Sequence, residues 1–202
     1  AGRRDCCRYR SRKVRSTVRY RSKATQPSLL TAPRRTPARY GLPVNDEFDI
    51  LVRCAEPDDL GIMEEIYIQS FYEFQPKCSI EQYLLSPRTW ALIAFVRIKG
   101  GNIPAGYVLA RNAAGEAEIL RIGVAPTFRK RGVGSALLTK MEGIAHIRGA
   151  RSIFLEVGIY NQNARALYSK AGYQVLGQRP NYYKKATGKR VTALVLHKNV
   201  EK

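Results

Sequence analysis

Residues 129–134 read Arg-Lys-Arg-Gly-Val-Gly. Three cations beside two glycines, ahead of an apolar repeat at helical spacing, are suited to holding an anion. The first N–H groups of a helix have no intrahelical partner and carry partial positive charge. Glycine lets the backbone close on a phosphate without a Cβ in the way. A second chemical signal is Glu156, which interrupts the apolar run 153–157. A carboxylate there needs a partner or a cleft to face. Glu118 is a further candidate proton acceptor; its alternative is a solvated acid near a strand end.

Several phosphate-binding patterns compete for the turn. A P-loop requires Gly-Lys-Ser/Thr, but Gly134 is followed by Ser135-Ala136, so the lysine for a terminal phosphate is missing. The dinucleotide fingerprint requires a third glycine where Leu137 stands, although Glu156 lies at roughly the ~20-residue spacing of its acidic residue. That reading is weakened but open. The structural alternative is a helix N-terminus that happens to carry glycines.

The elements that must position these residues follow from periodicity. Ile119–Val124 is strand-like, and Val133, Ala136, Leu137, Met141, Ile144 and Ala145 recur at helical spacing. Upstream, Asp49–Cys54 reads as a strand. A helix opens at Glu56-Pro57-Asp58-Asp59 and runs to about Phe71, and a short helix covers 79–85. Trp90–Ile98, Ala105–Asn112 and Glu116–Val124 read as strands joined by turns at Lys99–Asn102 and Asn112–Gly115. Downstream come strand Ser152–Val157, helix Asn161–Lys170, and strands Tyr173–Lys185 and Arg190–His197. The order βααβββαβαββ predicts an α/β domain built on one sheet. Strand alternation places Glu118, Leu120 and Ile122 on one face.

The 202 residues suffice for one domain plus a tail, and 45% apolar content is ordinary for a globular chain. No apolar run reaches the ~20 residues of a membrane span, so no membrane role is expected. The net charge of +19 is concentrated in residues 1–39, which hold 13 Lys/Arg against Asp5 alone. With Pro27, Pro33, Pro37 and Pro43 and no apolar period, residues 1–45 read as a disordered basic extension. The domain covers 46–199. The extension is read as an organelle-targeting peptide, as an arm contacting RNA or the ribosome, or as inert. It lacks the apolar core of a secretory signal. Cys6, Cys7, Cys54 and Cys78 form no Cys-x-x-Cys pair, and His146 and His197 are isolated, so no metal is expected. Cys54 is expected as a buried free thiol in a reducing compartment.

A third pattern for the turn, Arg/Gln-x-x-Gly-x-Gly/Ala, is met by Arg129, Gly132 and Gly134. It resembles the pyrophosphate loop of the GNAT superfamily of N-acetyltransferases, which bind acetyl-coenzyme A. The resemblance extends downstream through Leu155-Glu156-Val157, then Asn161, Ala164, Leu167-Tyr168, and Gly172-Tyr173. Asn181-Tyr182-Tyr183 is similar to the tyrosine-bearing loop of N-terminal protein acetyltransferases. The nearest group is that of the ribosomal-protein alanine N-acetyltransferases. The likeness covers about 49–198 and is strongest over 116–183.

The resemblance implies a single mixed, mostly antiparallel sheet of six to seven strands with a splayed central pair, flanked by about four helices. It implies acetyl-CoA as donor and a cytoplasmic enzyme. The backbone of Arg129, Lys130, Arg131, Gly132, Val133, Gly134 and Ser135 would hold the pyrophosphate. Ile122, Gly123 and Val124 would pair with the pantetheine arm, with Asn161 and Ala164 on the other side. The Val124 N–H would polarise the thioester carbonyl.

Glu156 stands where the ribosomal-protein alanine acetyltransferases carry their base. Glu118 stands where histone-acetylating relatives carry theirs. Tyr168 is the implied acid for the departing thiolate; its alternative is a core aromatic. Tyr182 and Tyr183 are expected to clamp a peptide N-terminus; their alternative is that of ordinary strand residues. Arg121 departs from the apolar or small residues expected at its position. It is read as meeting an acidic acceptor, pairing with Glu118 or Glu156, or pointing to solvent.

Acetyl transfer to an amine requires the neutral amine. At pH 7 deprotonation costs about 1 kcal/mol for an α-amino group and more than ~4 for lysine. The expected acceptor is therefore the α-amino group of a protein, with a ribosomal protein as one candidate. The rivals are a lysine side chain or small amine, and a non-catalytic RNA-associated protein.

Overall fold

The computed structural model describes residues 49–71, 80–98 and 101–200. The basic extension, Cys6, Cys7, Cys78, Ser79 and the Lys99-Gly100 part of the expected turn lie outside the described residues. The elements are β1 (Asp49–Cys54), α1 (Leu60–Phe71), α2 (Ile80–Leu84), β2 (Thr89–Ile98), β3 (Gly101–Ala113) and β4 (Glu116–Val124). They continue with α3 (Val133–Ile147), β5 (Ser152–Gly158), α4 (Gln162–Lys170), β6 (Gln174–Lys184) and β7 (Arg190–Asn199). This is the expected order. The seven strands form one sheet in the order β1-β2-β3-β4-β5-β7-β6. Only the β4–β5 pair is parallel.

Both faces of the sheet are covered. One carries α3 and α4 over Trp90, Leu92, Leu137, Met141, Ile153 and Leu155. The other carries α1 and α2 over Met63, Ile66, Ile93, Tyr107 and Leu109. With apolar residues required on both sides, β2 and β3 read as continuous apolar runs rather than alternating ones.

The start of α1 is fixed by Asp59, whose carboxylate accepts from Arg53 at 2.6 and 2.9 Å and from the Glu56 N–H at 2.7 Å. Burial alone pushes this carboxyl upward. The Arg53 hydrogen bonds, the Glu56 N–H and the Arg53 charge outweigh burial and hold it below the usual range.

The functional feature of the sheet is a split. β4 and β5 pair only from Glu116↔Ser152 to Ile119↔Leu155. β4 then runs on to Val124 beside β3, and β5 to Gly158 beside β7. The split begins at a β-bulge: Ala110 faces Ile119 and Leu109 faces Arg121, leaving Leu120 as the extra residue. An extra residue bends its strand and raises its twist, turning β4 away from β5.

The bulge also corrects one expectation. Ala117 and Ile119 pack on the α3/α4 side, Leu120 packs on the α1/α2 side, and Ile122 and Val124 return to the α3/α4 side. Ile122 therefore does not share a face with Leu120. A second correction concerns Cys54, which is half-buried and disulfide-bonded rather than a buried free thiol.

Candidate active site

A cleft of about 760 Å³ opens where β4 and β5 part. Of the residues expected from the sequence, Glu118, Arg121, Ile122, Glu156, Asn161, Ala164, Tyr168, Tyr182 and Tyr183 line it. These residues come from four elements, β4, β5, α4 and β6, separated by up to 65 positions, and meet there because a short parallel pair that splits exposes both strand edges to one space.

One edge of the cleft is backbone. The Ala125 N–H donates to Ala105 O at 2.9 Å, so Ala125 and Gly123 turn their polar groups toward β3. By antiparallel alternation Ile122 and Val124 turn theirs toward the split. The Val124 carbonyl on that side accepts from Ser70 Oγ at 3.2 Å and Arg129 Nε at 3.3 Å. Ser70 was not singled out from the sequence; as a polar residue near the end of an amphipathic helix it carries no chemical signature. Gly123 is required because a Cβ there would lie 2.9 Å from the Tyr107 ring.

Beyond Val124 the chain makes a 3-10 turn at Pro126–Phe128 and enters the basic turn. Lys130 (φ +60°) and Gly132 (φ +82°) both adopt the left-handed conformation, and Gly132 caps α3. A lysine held there is uncommon and costs strain. The first helical bond shown for α3 is Ala136 N–H to Gly132 O at 2.9 Å. The N–H groups of Val133, Gly134 and Ser135 thus precede the first full turn. At Gly134 a Cβ would stand 3.2 Å from Leu167 of α4 and 3.8 Å from Val124. The helix start therefore sits against both the end of β4 and the helix that follows β5. Neither these turn residues nor Gly123 and Val124 are among the residues that line the cleft; β4 lines it as far as Ile122.

The opposite wall comes from β5, α4 and β6. Glu156 is largely buried, its side chain 16% exposed, and Oε1 lies 2.9 Å from Arg179 Nη1. The Tyr183 hydroxyl donates to the Glu156 carbonyl at 3.0 Å. Tyr182 and Tyr183 meet edge to face at 5.0 Å, and Arg179 lies over the Tyr182 ring at 5.6 Å. β6 departs from regular pairing between Arg179 and Tyr183, with Asn181 at φ +55°. That irregularity turns both rings into the cleft. Burial, and the neighbouring Glu156 charge, push the Tyr183 hydroxyl's proton affinity up.

Tyr168 is buried in α4, edge to face with Tyr173 at 5.7 Å, yet it reaches the cleft. Burial pushes its hydroxyl well above the usual tyrosine range, so it is held protonated. Asn161 caps α4, its Oδ1 accepting from the Ala164 N–H at 3.2 Å.

Glu118 accepts from Arg111 at 2.6 and 2.8 Å. It is more exposed than Glu156, at 37% against 16%. Arg121 enters the cleft with its guanidinium over the rings of Tyr67 (4.7 Å) and Tyr83 (5.1 Å). Those two tyrosines and Phe71 also line the cleft. Nothing in the sequence singles them out, since aromatics on a helix read equally well as core. Among the described residues no group of three or more His, Cys, Asp or Glu is placed to hold a metal.

The model of the Acetyltransferase (GNAT) family matches residues 60–173. The chain is 34% identical over 91 residues to a ribosomal protein bS18-alanine N-acetyltransferase of Haemophilus influenzae. The matched stretch covers 45% of this chain and 62% of that enzyme, so the likeness spans less than two thirds of that relative. In three dimensions the chain resembles the ribosomal-protein-S18-alanine N-acetyltransferase of Escherichia coli. The TM-score is 0.65 at 23% identity, over 76% of this chain and 96% of that one. It also resembles Arabidopsis thaliana NAA60, solved with acetyl-CoA, with a TM-score of 0.64 at 18% identity over 75% and 98% of the two chains. At such identities the two structures establish the fold.

Proposed function

The chain belongs to the acetyltransferase (GNAT) family, and from that premise we propose that it is an N-acetyltransferase, moving an acetyl group from acetyl-CoA to the N-terminal α-amino group of a protein. The observation that carries this reading is the split between β4 and β5, lined on one side by backbone and on the other by Glu156 and Tyr168.

The donor supplies an acetyl group activated as a thioester. Ile122 and Val124 offer strand-edge N–H and C=O groups to its peptide-like arm, in the manner of an added strand. The N–H groups at 133–135 and the cations at 129–131 suit a pyrophosphate. The Val124 N–H turns away from β3 toward the split and donates to the carbonyl oxygen on which negative charge develops. Ser70 and Arg129 hold the same residue through its carbonyl, fixing the direction of that donor.

Glu156 takes a proton from the incoming ammonium. Since an α-amino group is only about 1 kcal/mol from neutral at pH 7, a carboxylate suffices. Glu118, held by Arg111 and nearer solvent, supports this through the field of the cleft. Tyr168, kept protonated by burial, donates its hydroxyl hydrogen bond to the departing thiolate and stabilises the charge that leaves. Tyr182 and Tyr183 flank the path of the peptide. The names of the relatives favour a protein N-terminus over a lysine or small amine, and ribosomal-protein N-termini are within this class.

The test is an array of peptides with different N-terminal residues, incubated with the full chain and acetyl-CoA. Acetyl groups found on α-amines by mass spectrometry support the reading. Acetylation confined to lysine side chains or to small amines overturns it.

A further inference from the structure

The described residues lining the cleft include five cations, Arg111, Arg121, Lys184, Lys185 and Arg190, against two carboxylates, Glu118 and Glu156. Both carboxylates are already within 3 Å of an arginine. A concave surface with this excess of positive charge, walled in part by aromatic rings of low polarity, focuses a potential that attracts anions and repels cations. A basic side chain close behind the acceptor amine would enter that field without an added carboxylate to meet it.

Arg121 gives the field a direction. The extra residue at Leu120 places Arg121 on the α1/α2 side of the split, and the rings of Tyr67 and Tyr83 hold its guanidinium at 4.7 and 5.1 Å. The two rings hold the guanidinium in place, and its N–H donors form a planar fork. This is the geometry with which arginine receives a carboxylate. Lys184 and Lys185 follow Tyr182-Tyr183 on the far wall, so a peptide entering between the tyrosines passes cations on both sides.

We infer that the acceptor carries an acidic side chain within the first residues after its amine, and that Arg121 reads it. The inference rests on the proposal that the site takes a protein N-terminus. It names a substrate class within that proposal, acidic N-termini, and assigns Arg121 as a specificity-determining residue.

The experiment uses the full chain and four peptides identical except for Asp, Glu, Ala or Lys at position 2. The acetyl group is located by mass spectrometry, and kcat/KM is measured at low and high salt. The Asp and Glu peptides are expected to exceed the Lys peptide by about tenfold or more at low salt, the ratio shrinking at high salt as charges are screened. In Arg121→Gln the Asp-to-Ala ratio is expected to collapse toward one, and Arg121→Lys to restore it only in part. A Lys peptide turned over as well as the Asp peptide overturns the inference while leaving N-terminal acetylation standing. So does an Asp-to-Ala ratio unchanged by Arg121→Gln. Absence of α-amine acetylation on all four peptides overturns the proposed function and the inference together. The wild-type ratio and its salt dependence decide the matter even if the Arg121 variants fold poorly.

Discussion

Glu156 and Arg179 form an ion pair of 2.9 Å at the wall of the cleft, with Glu156 largely buried on β5 and Arg179 on the irregular part of β6. The acid expected to accept the substrate proton is thus held in place by a neighbouring strand. The same strand supplies the two tyrosines at the entrance.

Replacing Glu156 by Gln keeps the shape and removes the proton acceptor. The turnover number of Glu156→Gln is expected to fall about a hundredfold or more. Glu118→Gln, altering a more exposed carboxylate, is expected to fall by less than about tenfold. Thiol release from acetyl-CoA measures both. Full turnover by both variants across pH would refute a carboxylate base.

Tyr168→Phe retains the ring against Tyr173 and loses only the hydroxyl. The expected result is a drop in kcat of roughly tenfold to a hundredfold, with stability changed by no more than about 1 kcal/mol. A chemical melt beside the rate measurement separates the two. A stability loss without a rate loss would make Tyr168 a core residue alone.

Gly132→Ala places a side chain at φ +82° but in ordinary contact with Ile50, so its cost is conformational, about 1–2 kcal/mol. Gly134→Ala instead puts a Cβ 3.2 Å from Leu167, where α3 meets α4. Both are expected to raise the KM for acetyl-CoA several-fold while leaving the KM for peptide nearly unchanged. An effect confined to the peptide KM would move the donor site elsewhere.

Stability should fall in alkali. Burial raises the proton affinity of Tyr107, Tyr168, Tyr173 and Tyr183 above the ordinary value of 10.0. Below about pH 10 these hydroxyls are protonated in folded and unfolded chains alike, so the contribution is fully present. Above it the unfolded chain loses protons that the folded chain keeps, and stability declines as pH rises. Melting temperatures from pH 8 to 12 should be flat and then drop; a flat profile throughout would contradict it.

In acid the sign reverses at Asp59. Its carboxyl is held below the ordinary 3.8, so its contribution is present above that pH and is lost as pH falls further. Asp59→Asn is expected to cost about 1–2 kcal/mol near neutrality, discounted for the partly exposed Arg53. It should also flatten the acid limb of the stability curve. Because α1 carries Tyr67, Ser70 and Phe71 to the cleft, the peptide KM should rise with it.

The sequence by itself determined the order of elements, because strand and helix periods and the glycine turns are local signals. It also determined the basic turn before α3, since its three cations and two glycines are consecutive residues. Glu156 was legible because a carboxylate inside an apolar run needs a reason to be there. Only the tertiary structure decided what depends on pairing across the chain. The bulge at Leu120, which turns β4 from β5 and reverses the facing of Ile122, arises from register with β3, and a strand's own alternation cannot reveal it. The pairing of Glu156 with Arg179, the placing of Arg121 against Tyr67 and Tyr83, and the hold of Ser70 on Val124 join residues far apart in sequence. They meet because the sheet splits between two short parallel segments, and that geometry belongs to the assembled sheet rather than to any one of its strands.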